Sequence, residues 1–448
     1  MRLADLKGKN IAILGLGREG RAARNALFSA FPEQACKLIN ETPVENVRAL
    51  ARHTLDHVVI SSLDQAHLDE YDVLILSPGF SRYRDEISDA ARAGVHITSG
   101  TQIWFSDNPD AHCICVSGTK GKSTTASLVA FLLEAAGNSV LLAGNIGKPL
   151  LDCSPEPVDF HVMELSSFQL AGLDFTPDIG VLLSFFPEHL AWHGGVEQYL
   201  DDKLNLVRSA KTAVVNATDP VLSDATQNLV ERQLFNTADG YHADGAGIYF
   251  GDHMLTPTAG LPLRGVHNAV NICAALTVTK QLGVDREVAL RALPSFQSLP
   301  HRLQDLPGGD GIQYVNDSIA TTPFAALAAL KALPGRPVTQ LLGGFERGVD
   351  WTNYLSYVAE NSPNALVCMG QNGPRIYRDL QNAGVAPFSG LYLCDRLPEA
   401  FEQARKVTPA DGLVLLSPGA ASFPEFTDFE QRGALFAELV SQLGDAGE

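Results

Sequence analysis

Short apolar runs that end in glycine or in Ser-Pro recur along this chain, separated by stretches of helical patterning. That alternation predicts βαβ units built on parallel sheets. The first run, Asn10-Ile11-Ala12-Ile13-Leu14, enters Gly15-Leu16-Gly17-Arg18-Glu19-Gly20 and then an Ala-rich helical pattern. Val73 to Leu76 ends in Ser77-Pro78-Gly79, and a further run lies near Val95 to Ile97. Asn108-Pro109-Asp110 is a polar turn with the composition of a linker. Beyond it, Cys113 to Val116 predicts a strand and Ser123 to Ala136 a helix ended by Gly137. Further strands are predicted at Phe160 to Met163 and Ile179 to Leu183. A third segment opens near Ser298-Leu299-Pro300-His301-Arg302. Its strands, Thr339 to Leu342, Ala365 to Met369 and Leu413 to Leu416, each run into Gly or Ser-Pro. The pattern predicts three α/β domains, spanning 1–108, 109–297 and 298–448.

Composition changes this picture little. At 448 residues the chain exceeds one core, and 45% hydrophobic with 19% charged residues is ordinarily globular. A net charge of -18 argues against nucleic acid or an anionic membrane as a partner. Small anionic substrates stay compatible with it, because a local basic pocket can act within an acidic field. The N-terminus lacks a signal-peptide core and no run approaches membrane-spanning length, so a cytoplasmic protein is expected. The seven cysteines form no CxxC pair and no zinc spacing. They are expected to be reduced and mostly buried, with Cys113 and Cys115 on one strand face.

Candidate chemistry begins at Gly118-Thr119-Lys120-Gly121-Lys122-Ser123-Thr124, between a predicted strand and a predicted helix. Glycines there expose backbone N–H groups to phosphate oxygens, and the helix adds its positive end. Lys122 would reach the β- and γ-phosphates of ATP, and the Ser123 hydroxyl would ligate Mg²⁺. The spacing is one residue shorter than the common phosphate-loop form. Gly15, Gly17 and Gly20 make a G-x-G-x-x-G after a strand, a dinucleotide signature. The acid expected about 20 residues on is represented only by Asn40-Glu41, somewhat late. Three uses stay open: NAD binding, a plain strand–helix turn, or a nucleotide diphosphate at the same helix N-terminus.

Glu164 lies just past a buried strand, where a carboxylate must be paired or bind metal. Glu188 and His189 stand at the mouth of another strand, so both sites would face the phosphate loop if the sheet is open and parallel. Lys203, taken alone, reads as a solvated helix lysine. In the third segment Asn316-Asp317-Ser318, Gly343 to Asp350, and Ser417 to Ser422 follow successive strands and would form one rim. Arg347 is the natural clamp there for a substrate carboxylate, against the alternative of a plain surface loop.

Together these motifs resemble the Mur ligases over essentially the whole chain. Within them the likeness is to the MurD type, which adds glutamate to UDP-N-acetylmuramoyl-L-alanine for peptidoglycan. The carriers are Gly118 to Thr124, Gly144-Asn145-Ile146-Gly147, Glu164 to Leu170 and Glu188-His189. Others are Gly265 to Asn268 with Asn271, Leu299 to Arg302, Asn316 to Ser318, and Ser417-Pro418 through Phe429-Glu430-Gln431-Arg432-Gly433. The short phosphate loop is the form that family uses. The resemblance implies a Rossmann-like N-terminal domain for the UDP-substrate, a central P-loop ATPase domain with a mainly parallel sheet, and a Rossmann-like C-terminal domain for the amino acid. It implies ATP and Mg²⁺ as cofactors, small-molecule substrates and a monomer.

Position by position, Lys122 and Ser123 would hold phosphate and magnesium, Glu164 and His189 would ligate magnesium, and Lys203 matches a lysine that is carbamylated. Asn145 would lie near the γ-phosphate and the muramoyl substrate. Asn271 would contact adenine, and Arg302 and Asp317 would complete the ATP site. Thr321, Arg347, Ser422 and Phe429 match the amino-acid pocket. Gly15 to Gly20 and Ser77 to Gly79 would take the uridine diphosphate. The chain departs from the usual pattern at Ile319, Lys120 and Asn40, which stand for a lysine, an asparagine and an aspartate. The combination of Gly118 to Thr124, Phe186-Pro187-Glu188-His189-Leu190-Ala191-Trp192-His193 and Asp317-Ser318-Ile319-Ala320-Thr321-Thr322-Pro323 looks more like a divergent branch that attaches L-glutamate. D-Glutamate, another Mur-type acceptor, a nucleotide-linked oxidoreductase and a non-catalytic scaffold are the rival expectations.

Overall fold

Parallel strands covered on both faces should be apolar throughout. Ile11–Leu14, Val73–Leu76, Ile179–Leu182, Val338–Leu342, Ala365–Cys368 and Leu413–Leu416 are buried along their whole length. The computed structural model containing them describes residues 1–41, 57–60, 62–63, 66–153, 156–263, 265–297, 299–333 and 335–443. The chain forms two compact units, Met1–Leu261 with His267–Phe296, and Pro262–Val266 with Gln297–Glu448. Ser298, the expected start of a third domain, lies outside the described residues, and the expected 108/109 boundary falls within the first unit.

The first sheet of the first unit contains β1 (Ile11–Leu14), β2 (Lys37–Asn40), β3 (His57–Ile60), β4 (Val73–Leu76) and β5 (His96–Ser99). They are all parallel in the order β3-β2-β1-β4-β5. The chain steps outward from β1 to β3, then returns to the other side of β1. That reversal opens a crevice at the carboxyl ends of β1 and β4, where Gly15 and Ser77 lie. The turn is tight. Ser77 Oγ donates to Gly15 O at 2.8 Å, and a Cβ on Gly20 would stand 1.9 Å from the same oxygen. Gly20→Ala should therefore destabilise the first unit by about 1–3 kcal/mol, the range for overpacking a fixed contact. Urea titration would check this, and an unchanged midpoint would contradict the clash.

A second parallel sheet follows: β6 (Cys113–Ser117), β7 (Val140–Gly144), β8 (Phe160–Glu164), β9 (Ile179–Leu182), β10 (Thr212–Asn216) and β11 (Arg232–Phe235). Its order is β11-β10-β9-β6-β8-β7. With β6 between β8 and β9, the loops leaving all three strands converge. The small antiparallel sheet β12 (Tyr241–Ala243), β13 (Gly247–Phe250) and β14 (His253–Pro257) was not singled out from sequence. Its strands are short and only partly buried, so apolar runs mark them poorly.

The second unit contains β15 (Gln304–Leu306), β16 (Gln313–Asn316), β17 (Val338–Leu342), β18 (Ala365–Cys368), β19 (Leu391–Leu393) and β20 (Leu413–Leu416). The order is β15-β16-β20-β17-β18-β19, with only β15 antiparallel to its neighbour. Because β20 inserts between β16 and β17, the loops after these three strands are neighbours. Of the seven free cysteines, Cys36, Cys113, Cys115, Cys273 and Cys368 are buried. No helix among the described residues is long and apolar enough to cross a membrane.

Candidate active site

The loop after β6 is tied to the loop after β9. Thr119 N donates to Ser184 O at 2.8 Å, Lys120 N to Ser184 Oγ at 3.1 Å, and Phe186 N to Thr119 Oγ1 at 2.9 Å. Thr119 is buried, and its hydroxyl also meets Tyr199 OH at 3.0 Å, so this side chain anchors the loop from beneath. Gly121 has φ +88°, and a Cβ there would lie 2.5 Å from Asn271 Oδ1. Only glycine fits. Asn271 is itself buried and donates to Asn268 Oδ1 at 3.1 Å. The Lys122 ammonium donates to Gly118 O at 2.9 Å and Thr119 O at 3.1 Å, which holds it over its own loop. Ser123 is half-buried in the first turn of the helix Lys122–Ala135, and Thr124 behind it is buried. Lys120 is exposed and pairs with Glu188 at 2.7 Å.

Glu164 is the last residue of β8 rather than the first beyond it, and is 1% exposed. Its Oε1 accepts from Asn145 Nδ2 at 2.8 Å, while its buried Oε2 has no hydrogen-bond partner. A carboxylate oxygen left this way in the interior is costly unless a cation supplies the missing partner. His189 follows β9 by several residues and adopts φ +57° at the head of the short helix Leu190–His193. Burial lowers its pKa, with Glu188 opposing and Lys122, His193 and Lys120 reinforcing the shift.

Lys203 corrects the sequence expectation. It is 1% exposed, not solvated, because the helix Val196–Ser209 buries Tyr199, Lys203, Leu206 and Val207 on one face. Its ammonium lies over the Tyr199 ring, 5.0 Å from the centroid, and makes no ion pair among the described residues. Desolvation drives its pKa well below the usual lysine value, and Lys122 adds to the effect.

A buried chain of polar groups beside these residues was missed from sequence. Tyr83 OH donates to Asp202 Oδ1 at 2.5 Å, Asp202 Oδ2 meets His193 Nδ1 at 2.6 Å, and His193 Nε2 meets Ser167 Oγ at 3.0 Å. The His189/His193 spacing, one helical turn, was the available signal. This chain ties the loop after Ser77-Pro78-Gly79 to the helix that carries Lys203. Trp192 Nε1, donating to Pro78 O at 2.9 Å, reinforces the tie.

At the turn after β1, Leu16 N donates to Asn40 Oδ1 at 3.3 Å. Glu41, the acid a dinucleotide site would want on the ribose, is paired with Arg84 at 2.8 Å. Gly17 and Gly79 are exposed, and Arg18 Nη2 donates to Gly147 O, in the Gly144 to Gly147 loop. Glu19 meets Gln169 Nε2 at 3.1 Å, and burial raises its pKa to about 7.

In the second unit the three strand-end loops meet. Asp317 N donates to Leu416 O at 2.7 Å, Gly419 N to Ala320 O at 2.8 Å, Gly343 N to Pro418 O at 2.8 Å and Phe345 N to Ala421 O at 2.8 Å. Asp317 is buried, accepts from Ser417 Oγ at 2.7 Å and Leu303 N at 3.2 Å, and has its pKa raised to about 7 by desolvation. Arg302 and Thr321 are half-buried, Ser422 is buried, Phe429 is half-buried and Arg347 is exposed. Ser318 Oγ donates to Phe429 O at 2.8 Å, joining the head of the helix Phe429–Ser441 to this rim.

No group of three or more His, Cys, Asp and Glu side chains among the described residues could hold a metal unaided. Magnesium needs less than that, because one or two protein ligands and nucleotide phosphates complete its octahedron. The unpartnered Oε2 of Glu164 beside the phosphate loop fits such an ion.

Residues 116–279 match the Mur ligase middle domain. A UDP-N-acetylmuramoyl-L-alanine--L-glutamate ligase of Xanthomonas oryzae pv. oryzae is 42% identical across 98% of this chain and 97% of its own length. A protein of the same name from Xylella fastidiosa is 42% identical across 100% of both chains, and one from Salinispora tropica 38% across 98% and 99%. Among solved structures, the UDP-N-acetylmuramate-alanine ligase MurC of Thermotoga maritima has a TM-score of 0.60 at 18% identity, covering 98% of this chain and 100% of its own. MurF of Acinetobacter baumannii gives 0.58 at 17%, covering 90% and 85%. At such identities the structures speak for the fold alone.

Proposed function

The chain belongs to the Mur ligase family, and from that membership we propose that it joins L-glutamate to UDP-N-acetylmuramoyl-L-alanine at the expense of ATP. The observation that carries the chemistry is the half-satisfied Glu164 carboxylate, bonded to Asn145 and set beside the phosphate loop of β6. The names of the full-length relatives support the choice of L-glutamate.

In this reading the muramoyl-L-alanine carboxylate attacks the γ-phosphate, giving an acyl phosphate and ADP. The amine of glutamate then attacks the acyl carbon, phosphate leaves, and the nitrogen gives up a proton. Lys122 and the backbone of Gly118, Thr119, Lys120 and Gly121 hold the phosphates, with Thr124 behind the loop. Ser123, Glu164 and His189 would hold magnesium, which would supply charge neutralisation for phosphoryl transfer. Asn145 orients both Glu164 and the substrate carboxylate. Lys203, buried and with its neutral form favoured, is suited to form an N–C bond to CO₂ and release a proton from that nitrogen, giving an anionic carbamate that would face the metal. Asn271 contributes to the nucleotide site from within the first unit, and Arg302 and Asp317 are the residues of the second unit assigned to ATP.

Gly15, Gly17, Gly20, Ser77 and Gly79 receive the uridine diphosphate. Thr321, Arg347, Ser422 and Phe429 receive glutamate. The corresponding division is 1–108 for the UDP-substrate, 109–297 for ATP and 298–448 for the amino acid, in a cytoplasmic monomer. ADP release with UDP-N-acetylmuramoyl-L-alanine and either L- or D-glutamate tests the reading. Release with the L isomer alone is expected; release with D-glutamate alone would reverse the stereochemistry, and no release with either would defeat the assignment.

A further inference from the structure

The second unit contains a buried positive charge that forms no ion pair among the described residues, with Glu425 acting on it only from beyond contact. Arg432 is 1% exposed and is the largest of the fully buried side chains. It stands in the first turn of the helix Phe429–Ser441, at the positive end of the helix dipole. No carboxylate pairs with it among the described residues. Its donors go instead to neutral oxygens, Nε to Ser318 Oγ at 3.0 Å, Nη2 to Ser318 O at 2.8 Å and Nη1 to Ala420 O at 3.0 Å. Desolvation lowers its pKa to about 10, with Glu425 opposing, so the group is charged at neutral pH. A cation buried at the positive end of a helix with no acid in contact is expensive to keep.

Its contacts indicate a use for it. Ser318 lies in the loop after β16 and Ala420 in the loop after β20. Gly344, after β17, is packed so closely that a Cβ on it would come 3.1 Å from Nη1. One guanidinium thus bonds the loops that carry Thr321 and Ser422 and packs against Gly344 in the loop that carries Arg347, and it projects from the helix that begins with Phe429. Of the other cations beside the rim, Arg347 is solvent-exposed and half-buried Arg302 acts on Asp317, while Ile319 contributes none. A charge held in a poorly polarisable interior acts over several ångströms with little screening.

We propose that Arg432 is a specificity-determining positioning residue of the amino-acid site. Its fork sets the spacing of the three loops, and its charge, which no contacting carboxylate neutralises, favours an acceptor bearing two carboxylates. This rests on the second unit being the glutamate-binding part of the enzyme. The guanidinium acts through the loops and through its field, and does not touch the substrate.

Steady-state KM values for glutamate and for ATP, measured in Arg432→Met and Arg432→Lys, test it. Arg432→Met should raise the glutamate KM about tenfold or more and leave the ATP KM within about twofold. Arg432→Lys keeps the charge but not the planar fork, and should raise the glutamate KM only about threefold. A parental glutamate KM in Arg432→Met, or equal rises in the two variants, overturns the proposal. If Arg432→Met does not fold, Arg432→Lys decides, because a parental glutamate KM there means the fork sets nothing the site uses. Failure of the parent enzyme to release ADP with glutamate would defeat the functional reading instead. Normal parental turnover with indifferent Arg432 variants would defeat only this inference.

Discussion

Lys122→Ala is expected to lower ADP release that depends on both substrates by roughly 10²–10³-fold or more, the loss seen when a fixed electrostatic donor is removed from a charged transition state. The structure explains why the effect should be large and confined to chemistry. The Lys122 ammonium is held by two carbonyls of its own loop, Gly118 O and Thr119 O, at 2.9 and 3.1 Å. It is therefore prepositioned where phosphate oxygens enter and need not be recruited from solvent. The loop itself is anchored elsewhere, through Thr119 to Phe186 and Tyr199 and through Lys120 N to Ser184. The variant should keep its fold and its circular dichroism. Turnover near the parental rate in a folded Lys122→Ala protein would remove the phosphate loop from the mechanism.

The strands that position this chemistry were legible because parallel strands buried on both faces are plain apolar runs. Val73–Leu76 and Leu413–Leu416 have the bounds their hydropathy indicates, and β6, β8 and β9 shift by one residue at most. Glycine and Ser-Pro signals marked the loops at the carboxyl ends of these strands. What those signals could not carry was burial of charge. A lysine on a helix is ordinarily solvated, and nothing adjacent to Lys203 says otherwise. Its apolar stripe with Tyr199, Leu206 and Val207 becomes informative only once the sheet beneath that helix is known.

Arg432 was hidden in the same way. It lies in a motif whose resemblance was evident, yet its burial depends on Ser318 and Ala420, which are 114 and 12 residues away in sequence. The polar chain from Tyr83 through Asp202 and His193 to Ser167 joins positions that only the tertiary fold brings together. The acidic residue beside the glycine-rich turn shows the converse. The glycine pattern invited a dinucleotide reading for which Glu41 comes somewhat late, and the fold pairs Glu41 with Arg84.

Lys203→Met should separate stability from activity. In the parent, desolvation holds the folded-state pKa of Lys203 well below 10.5, so between that lowered value and 10.5 the unfolded chain binds a proton that the folded chain does not. Stability contributed by this group therefore rises with pH across that window, and at neutral pH the lysine is a net cost. Methionine fills a similar volume without the charge. In CO₂-free buffer the variant should melt about 2 °C or more above the parent at pH 7, with the difference shrinking toward pH 10. Ligase turnover, measured with CO₂ present, should fall at least about 100-fold, because no apolar side chain can supply the anionic group expected beside the metal. A variant that melts lower at pH 7 would mean that Lys203 is stabilised by a partner the fold does not display. One that retains full turnover would mean that the burial of this amine serves packing alone.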